Sequence, residues 1–336
     1  MTEEINSLAD SYQKYFKIGT CINEYALENQ QELLKKHFNS FTCENAMKPE
    51  HLQPELDQFS FKKADKLLKK LHKIKNENFV FRGHTLVWHN QTPDWFFKNE
   101  KGNIINKDKL LARMQNHINK VMEKYQDEIY CWDVVNEAIS DKNSEIFRKS
   151  EWYQITGKTY LEKAFSYARE NNSEIKLFYN DYNAVLPEKR DKIYKFLKEM
   201  LKKDIPIDGM GIQGHWNIHS PSLENIKNAI EKYASLGLDI HITELDLSVY
   251  DSDDKRKDLK KPTREMKEKQ KQRYIEIFEL FKEYRENINN VTFWGTADDY
   301  TWKDNFPVKN RKDWPLLFDE KHNPKPAVKQ IIKQAE

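Results

Sequence analysis

From one end to the other, the chain alternates between short apolar runs of strand formers and longer segments with helical spacing. That alternation restricts the fold more than any single residue does. Strand-like runs occupy 15–22, 40–44, 79–87, 129–136, 175–180, 208–215, 238–244 and 291–295. Between them, 28–37, 61–75, 109–125, 152–170, 187–203, 221–235 and 263–286 repeat apolar residues every three or four positions, and a last helix follows Pro326. In 61–75 the stripe is Phe61, Ala64, Leu67, Leu68 and Leu71. Strands separated by helices run parallel, because each helical crossover returns the chain to the same end of the sheet. About eight such units fit a closed barrel better than an open doubly wound sheet, and no Gly-x-Gly-x-x-Gly follows the first strand. No Pro/Gly-rich linker divides the chain. The expected fold class is α/β: one eight-stranded parallel (β/α) TIM barrel spanning 1–336 as a single domain, without an accessory binding module.

In a parallel barrel the C-terminal ends of the strands share one face, so polar residues at those ends are informative. The run Tyr130-Cys-Trp-Asp-Val-Val-Asn-Glu137 is apolar until it stops at an amide and a carboxylate. Its neighbours end similarly. They carry Glu44-Asn45, His84 with Trp88-His89, Asn180-Asp181-Tyr182, Gln213 with His215, Glu244 with Asp246, and Trp294, with Trp302 on the loop beyond. Glu137 ends the fourth strand and Glu244 the seventh, so both are expected in one cavity. Cleavage of a glycosidic bond needs two such carboxyls, one to protonate the leaving oxygen and one to attack the anomeric carbon or activate water. Each charge raises the pKa of the other group, which helps keep the acid protonated. Indoles and amides beside them suit sugars, whose C–H faces stack on aromatic rings while their hydroxyls seek polar partners. Asp246, two residues past Glu244, reaches the same strand face if the extended run continues, and could orient His215, which could in turn hold Glu244 ionised.

Other classes fit poorly. His84, His89 and His215 lack the paired spacing of a metal site, so no metal and no cofactor is expected. His37, His72, His117, His241 and His322 read as structural, and Trp95, Trp152, Trp216 and Trp314 as core or rim. The 56 basic residues nearly balance the 54 acidic ones, leaving +2, so no overall field draws nucleic acid or an anionic membrane. No apolar run nears the roughly 18 residues that span a bilayer. The mixed-sign run 251–261 reads as a solvated loop near the site entrance. Cys21, Cys43 and Cys131 lie in apolar runs and read as buried free thiols. With an acidic start that lacks signal-peptide character, they point to a reducing cytoplasm. A chain trimmed of its leader and given a new Met would read identically.

With these residues in view, the chain resembles the endo-β-1,4-xylanases of glycoside hydrolase family 10, from about Phe16 to Ala327. The matching pieces are Thr42-Cys-Glu-Asn-Ala-Met-Lys48, Arg82-Gly-His-Thr-Leu-Val-Trp-His89, Trp132-Asp-Val-Val-Asn-Glu137, Tyr179-Asn-Asp-Tyr-Asn183, Gly211-Ile-Gln-Gly-His215, Ile242-Thr-Glu-Leu-Asp246, Phe293-Trp-Gly, Asp298-Asp-Tyr-Thr-Trp302 and Pro315-Leu-Leu-Phe-Asp319. Their occurrence in this order is far more specific than any one of them. The chain departs at Trp294-Gly-Thr-Ala297, where many relatives read Trp-Gly-Val-Thr, but this touches neither glutamate.

The resemblance implies a retaining double displacement, with Glu137 as acid/base and Glu244 as the nucleophile of a covalent glycosyl-enzyme intermediate. It implies that Asn136 binds the 2-hydroxyl of the attacked sugar, and that Lys48, His84, Trp88, Gln213, His215, Trp294 and Trp302 surround that sugar. Glu44 and Asn45 would hold the next sugar toward the non-reducing end, and Tyr182 would stack on the leaving side. Asp133 and Asp246 are read as supports behind the pocket. The compact length resembles the intracellular members, which act on short xylo-oligosaccharides after import. A monomer or homodimer is expected, with xylan or xylo-oligosaccharide as the partner. Two other functions remain open: a related β-1,4-glycanase acting on glucan, and a barrel that binds oligosaccharide without cleaving it.

Overall fold

In the computed structural model, which describes residues 5–75 and 79–336, eight parallel strands close into a barrel inside a layer of helices. The first four residues of the acidic start lie outside that range. The strands are β1 (Lys17–Ile22), β2 (Ser40–Cys43), β3 (Val80–Trp88), β4 (Ile129–Asn136), β5 (Lys176–Asp181), β6 (Gly209–Ile212), β7 (His215–Asn217), β8 (Asp239–Ser248) and β9 (Ile288–Phe293). Pairing runs β1 to β6 in order, then β6–β8 and β8–β9, and closes through β9–β1, where Lys17 faces Asn290. β7 is a short ninth strand laid on the end of β8, His215 opposite Asp246.

The helices form where the apolar stripe allows one side to be buried. Lys62–Lys75 buries Ala64, Leu67, Leu68 and Leu71 and turns its lysines to water; each fully buried leucine contributes roughly 1.5–3 kcal/mol relative to exposure. Short polar side chains start several of them. Asn106, Ser150, Ser222 and Thr263 each accept from a main-chain N–H three residues on, worth about 1 kcal/mol per cap.

The barrel interior is partly polar and internally paired. Arg82 on β3 makes a two-point ion pair with Asp133 on β4 (2.7 and 3.3 Å), and its Nε donates to His241 Nδ1 on β8 at 3.1 Å. Lower down, Asn290 Nδ2 donates to Ser40 Oγ at 2.6 Å and to the Tyr130 hydroxyl at 2.9 Å.

Several predicted boundaries move, each for a local reason. The single strand expected over 208–215 is two, β6 and β7, because Gly214 adopts φ +82° and turns the chain between them. The strand expected to stop at Glu244 continues to Ser248, since β7 pairs with its extension, so Glu244 lies within β8 and not at its end. The strand expected over 291–295 is instead Ile288–Phe293. Asn290 falls inside that span and is satisfied by partners within the barrel. The helix read over 28–37 is two, Glu24–Asn29 and Gln31–His37, broken at Gln30. That over 152–170 splits at Gly157 (φ +60°) into Glu151–Thr156 and Thr159–Asn171. Cys21, Cys43 and Cys131 are buried and free, as expected.

Candidate active site

β4 delivers Asn136 as its last residue and Glu137 immediately beyond it. Glu137 takes a left-handed backbone, φ +59°, and its N–H donates to the Asn180 carbonyl at the end of β5 at 2.9 Å. The turn points the carboxyl into the barrel mouth. There it accepts from Trp88 Nε1 on Oε2 and from Gln213 Nε2 on Oε1, both at 2.9 Å. Gln213 reaches it because the chain leaves β6 at that residue. The same break lets the Gln213 and Gly214 carbonyls accept from the N–H groups of Glu244 (2.7 Å) and Asp246 (3.2 Å) on β8.

Glu244 is held by charged and neutral donors. Asn180 Nδ2 donates to Oε1 at 2.8 Å, and His215 Nε2 lies 3.1 Å from Oε2. Behind His215, Nδ1 is 2.8 Å from Asp246 Oδ2, which also accepts from Trp302 Nε1 at 2.9 Å; Lys303 Nζ stands 3.4 Å from the other oxygen. Asn180 fits because residue 211 is glycine: a Cβ there would lie 2.3 Å from Asn180 Oδ1. Asn136 links the two halves, its Oδ1 accepting from Asn180 Nδ2 (3.1 Å) and Gln213 Nε2 (3.3 Å). Turned by half a rotation, the same amide would accept from Trp88 Nε1 at 3.2 Å, so both orientations find neighbours.

These surroundings pull the two carboxyls in opposite directions. Burial foremost, then the charge of Asp181 and, less, that of Glu244, push the Glu137 carboxyl above its ordinary pKa, against the opposing Gln213 and Trp88 donors. Burial also opposes charge on Glu244. There, however, the His215 hydrogen bond, the charges of His84 and His215, and the Asn180 donor outweigh it and hold the pKa below its ordinary value. His215 can play this part because, although burial disfavours its cation, Asp246 and Glu244 raise its pKa to about 9. At neutral pH it is an imidazolium donating from both nitrogens. His84 is oriented from below by Asp133, whose Oδ2 lies 2.9 Å from His84 Nδ1. Burial opposes the Asp133 charge, but Arg82 and His84 hold its pKa below the usual value. An ionised Asp133 can only accept, so Nδ1 of His84 carries the hydrogen.

Every residue assigned to the pocket from sequence lines one cleft of about 680 Å³. Glu44, Asn45 and Lys48, just beyond the end of β2, line the cleft. Asn23 Nδ2 donates to Glu44 at 2.6 Å, and Lys48 Nζ donates to Asn45 (2.9 Å) and Gln91 (2.8 Å) while standing 5.0 Å from the Trp88 ring centre. His84 meets the Trp294 ring edge-on at 5.3 Å, and Trp302 packs on His215 at 4.7 Å. Tyr182, just beyond the end of β5, also lines the cleft. Asp133 and Asp246 are fully buried behind the cleft, each on a histidine that lines it. His89 is not among the lining residues; burial pushes its pKa down to about 4, and its Nδ1 is 3.9 Å from Glu137.

Sequence reasoning passed over Asn180 as a site residue, although it named the triplet that holds it. It also missed Gln91, in a loop without periodicity, Lys303, in the single 3-10 turn Trp302–Asp304, and Trp216, which lines the cleft beside Asn217. Among the described residues no three or more His, Cys, Asp or Glu side chains converge as a metal site requires.

Residues 7–334 match the family model described as glycosyl hydrolase family 10. The chain is 53% identical to an endo-1,4-beta-xylanase of Geobacillus stearothermophilus, covering 99% of both chains. It is 48% identical to endo-1,4-beta-xylanase B of Paenibacillus barcinonensis, over 99% of this chain and all of that one. Among solved structures, a xylanase of Paenibacillus barcinonensis in complex with a conduramine derivative superposes with a TM-score of 0.95 at 48% identity, covering 98% of this chain and 99% of the other. An endo-1,4-beta-xylanase of Caldicellulosiruptor owensensis gives 0.94 at 50% identity with the same coverage.

Proposed function

The chain belongs to glycosyl hydrolase family 10, and from that premise we propose that it is an endo-1,4-β-xylanase that hydrolyses xylan-derived xylo-oligosaccharides by double displacement. The observation that carries this reading is the opposed tuning of Glu137 and Glu244 within one cleft. In the first step Glu137 gives its proton to the glycosidic oxygen as the Glu244 carboxylate attacks the anomeric carbon, forming a glycosyl ester and releasing the leaving sugar. In the second, Glu137, now ionised, takes a proton from water, which attacks the same carbon and frees Glu244. Asn136 donates to the 2-hydroxyl, a contact that strengthens as positive charge develops on the sugar ring. The imidazolium of His215 keeps Glu244 ionised and ready to attack.

Xylose lacks the hydroxymethyl group of glucose, so crowding by Trp302, which stacks on Phe306 at 5.0 Å, supports selection against glucan. Three buried free thiols support residence in a reducing compartment, where imported oligosaccharides would be the substrate. One experiment tests class and stereochemistry together. Proton NMR during hydrolysis of xylohexaose is expected to show the β-anomer as the first product, and an aryl β-xylobioside should turn over much faster than the matching cellobioside. An α-anomer first would overturn retention. Faster turnover of the cellobioside would favour the glucanase reading, and no new reducing ends at all would leave a binding protein.

A further inference from the structure

The loops after β4 and β5 are tied together by a charged network that the two-step reaction above does not use, and Arg148 stands at its centre. Its Nε donates to the main-chain carbonyl of Glu137 at 2.9 Å, and one terminal nitrogen donates to the Tyr182 phenol oxygen at 2.7 Å and lies 3.4 Å from Asp141 Oδ2. The Tyr182 hydroxyl in turn donates to Asp141. Lys189, buried, bridges Asp141 (3.0 Å) and Asp181 (2.8 Å) and stands 3.5 Å from the Tyr182 ring centre. Asp181 accepts from the Tyr179 hydroxyl, whose oxygen receives the N–H groups of Ala138 and Ile139 at 3.1 Å each.

Two features of this arrangement are specific. Glu137 is held in a left-handed conformation that residues with a side chain avoid, and main-chain hydrogen bonds on both sides fix it there: its N–H to Asn180 and its C=O from Arg148. The planar guanidinium that makes the second of these bonds also makes the bond to Tyr182, so the two acceptors are held at a set separation. A flexible ammonium cannot reproduce that fork.

We propose that Arg148 is a positioning residue that fixes the proton donor Glu137 and the leaving-sugar platform Tyr182 with one rigid group, so that the departing glycosidic oxygen and the acid meet only when both are engaged. This rests on the roles given above to Glu137 and Tyr182. Arg148 touches neither the reacting atoms nor the sugar in this scheme. It acts through a carbonyl and a phenol, and its effect depends on the leaving group. A sugar leaving group needs both a seat and a proton, whereas a dinitrophenolate needs neither.

The test compares kcat/KM for xylohexaose and for dinitrophenyl β-xylobioside in wild type, Arg148→Met, Arg148→Lys, Tyr182→Phe and the Arg148→Met/Tyr182→Phe double variant. For xylohexaose, Arg148→Met is expected to lose about 100-fold, the scale of an ångström's misplacement, and Arg148→Lys to recover only part of it. For the dinitrophenyl substrate, Arg148→Met is expected to lose less than about 3-fold, because no proton is required. On xylohexaose the double variant should be no worse than the poorer single variant, since both break one connection. Equal losses on the two substrates would reduce Arg148 to a structural tie and overturn the proposal, as would multiplicative losses in the double variant or full activity in Arg148→Met. A wild type inert toward both substrates would overturn the xylanase reading itself, and this proposal with it.

Discussion

Both hydrogen bonds that Glu137 receives in the cleft come from neutral donors, Trp88 and Gln213, whereas Glu244 receives one of its two from His215, which Asp246 keeps protonated. Identical side chains therefore hold their protons differently. The expected kcat/KM profile is bell-shaped. Its acidic limb lies below the ordinary carboxylate range, where Glu244 takes up a proton and can no longer attack. Its alkaline limb lies above that range, where Glu137 has lost the proton it must donate. In His215→Gln the burial of Glu244 loses the hydrogen bond and charge of His215, the largest offset it has, so the acidic limb should move up by about 1 pH unit or more; a pH profile whose acidic limb stays put would refute the link. Glu137→Ala should lose about 10² to 10⁴-fold in kcat/KM on xylohexaose yet still be glycosylated by a dinitrophenyl xylobioside. Added azide should then appear in the product as the β-azide by NMR, because the vacated space admits a small anion on the face that water would use.

The strand elements position these groups through a break as much as through regularity. A continuous strand over 208–215 would keep Gln213 and His215 on a regular pleat. The left-handed Gly214 instead turns one toward Glu137 and the other toward Glu244, and the chain resumes as β7 against the extension of β8. Three residues before Gly214, within β6, Gly211 leaves room for Asn180. A methyl there would press on Asn180 Oδ1 and disturb the amide that donates to Glu244. Gly211→Ala is expected to cost about 1–3 kcal/mol of stability through overpacking, seen as a lower Tm, and to lower kcat/KM even for the dinitrophenyl substrate, whose turnover depends on Glu244. A variant with lower Tm but unchanged kcat/KM would show that Asn180 does not position Glu244.

Closure makes the molecule one cooperative body, and its interior contains a staple between strands that are distant in sequence. Arg82 on β3 is paired with Asp133 on β4 and donates to His241 on β8, all fully or almost fully buried. Removing one partner of such a pair leaves a buried charge uncompensated, so Asp133→Asn is expected to lose about 3–5 kcal/mol at neutral pH. The sign with pH follows from the depressed Asp133 pKa. Its stabilisation is present above the unfolded carboxylate value of about 4 and is lost as pH falls through the lower folded value. Guanidinium melts at neutral and acidic pH should therefore show the gap between wild type and Asp133→Asn shrinking in acid. A gap that stayed constant or widened would contradict the ionised pair.

The order of strands and helices, the barrel they close into and the residues that ring its mouth follow from the sequence alone. Periodicity reports which side of each element is buried, and a parallel barrel sends all its strand ends to one face. Polar strand ends such as Asn136 and Asn180 are therefore visible as interruptions of apolar runs. The tertiary structure alone decides what acts between elements far apart in the chain. The length of β8 depends on its pairing with β7, the strand nature of Asn290 on partners across the barrel, and the opposed proton affinities of Glu137 and Glu244 on which neighbours burial brings close. Arg148 is the clearest case. It lies in a loop without periodicity, and only the folded chain sets its fork between the Glu137 carbonyl and the Tyr182 hydroxyl.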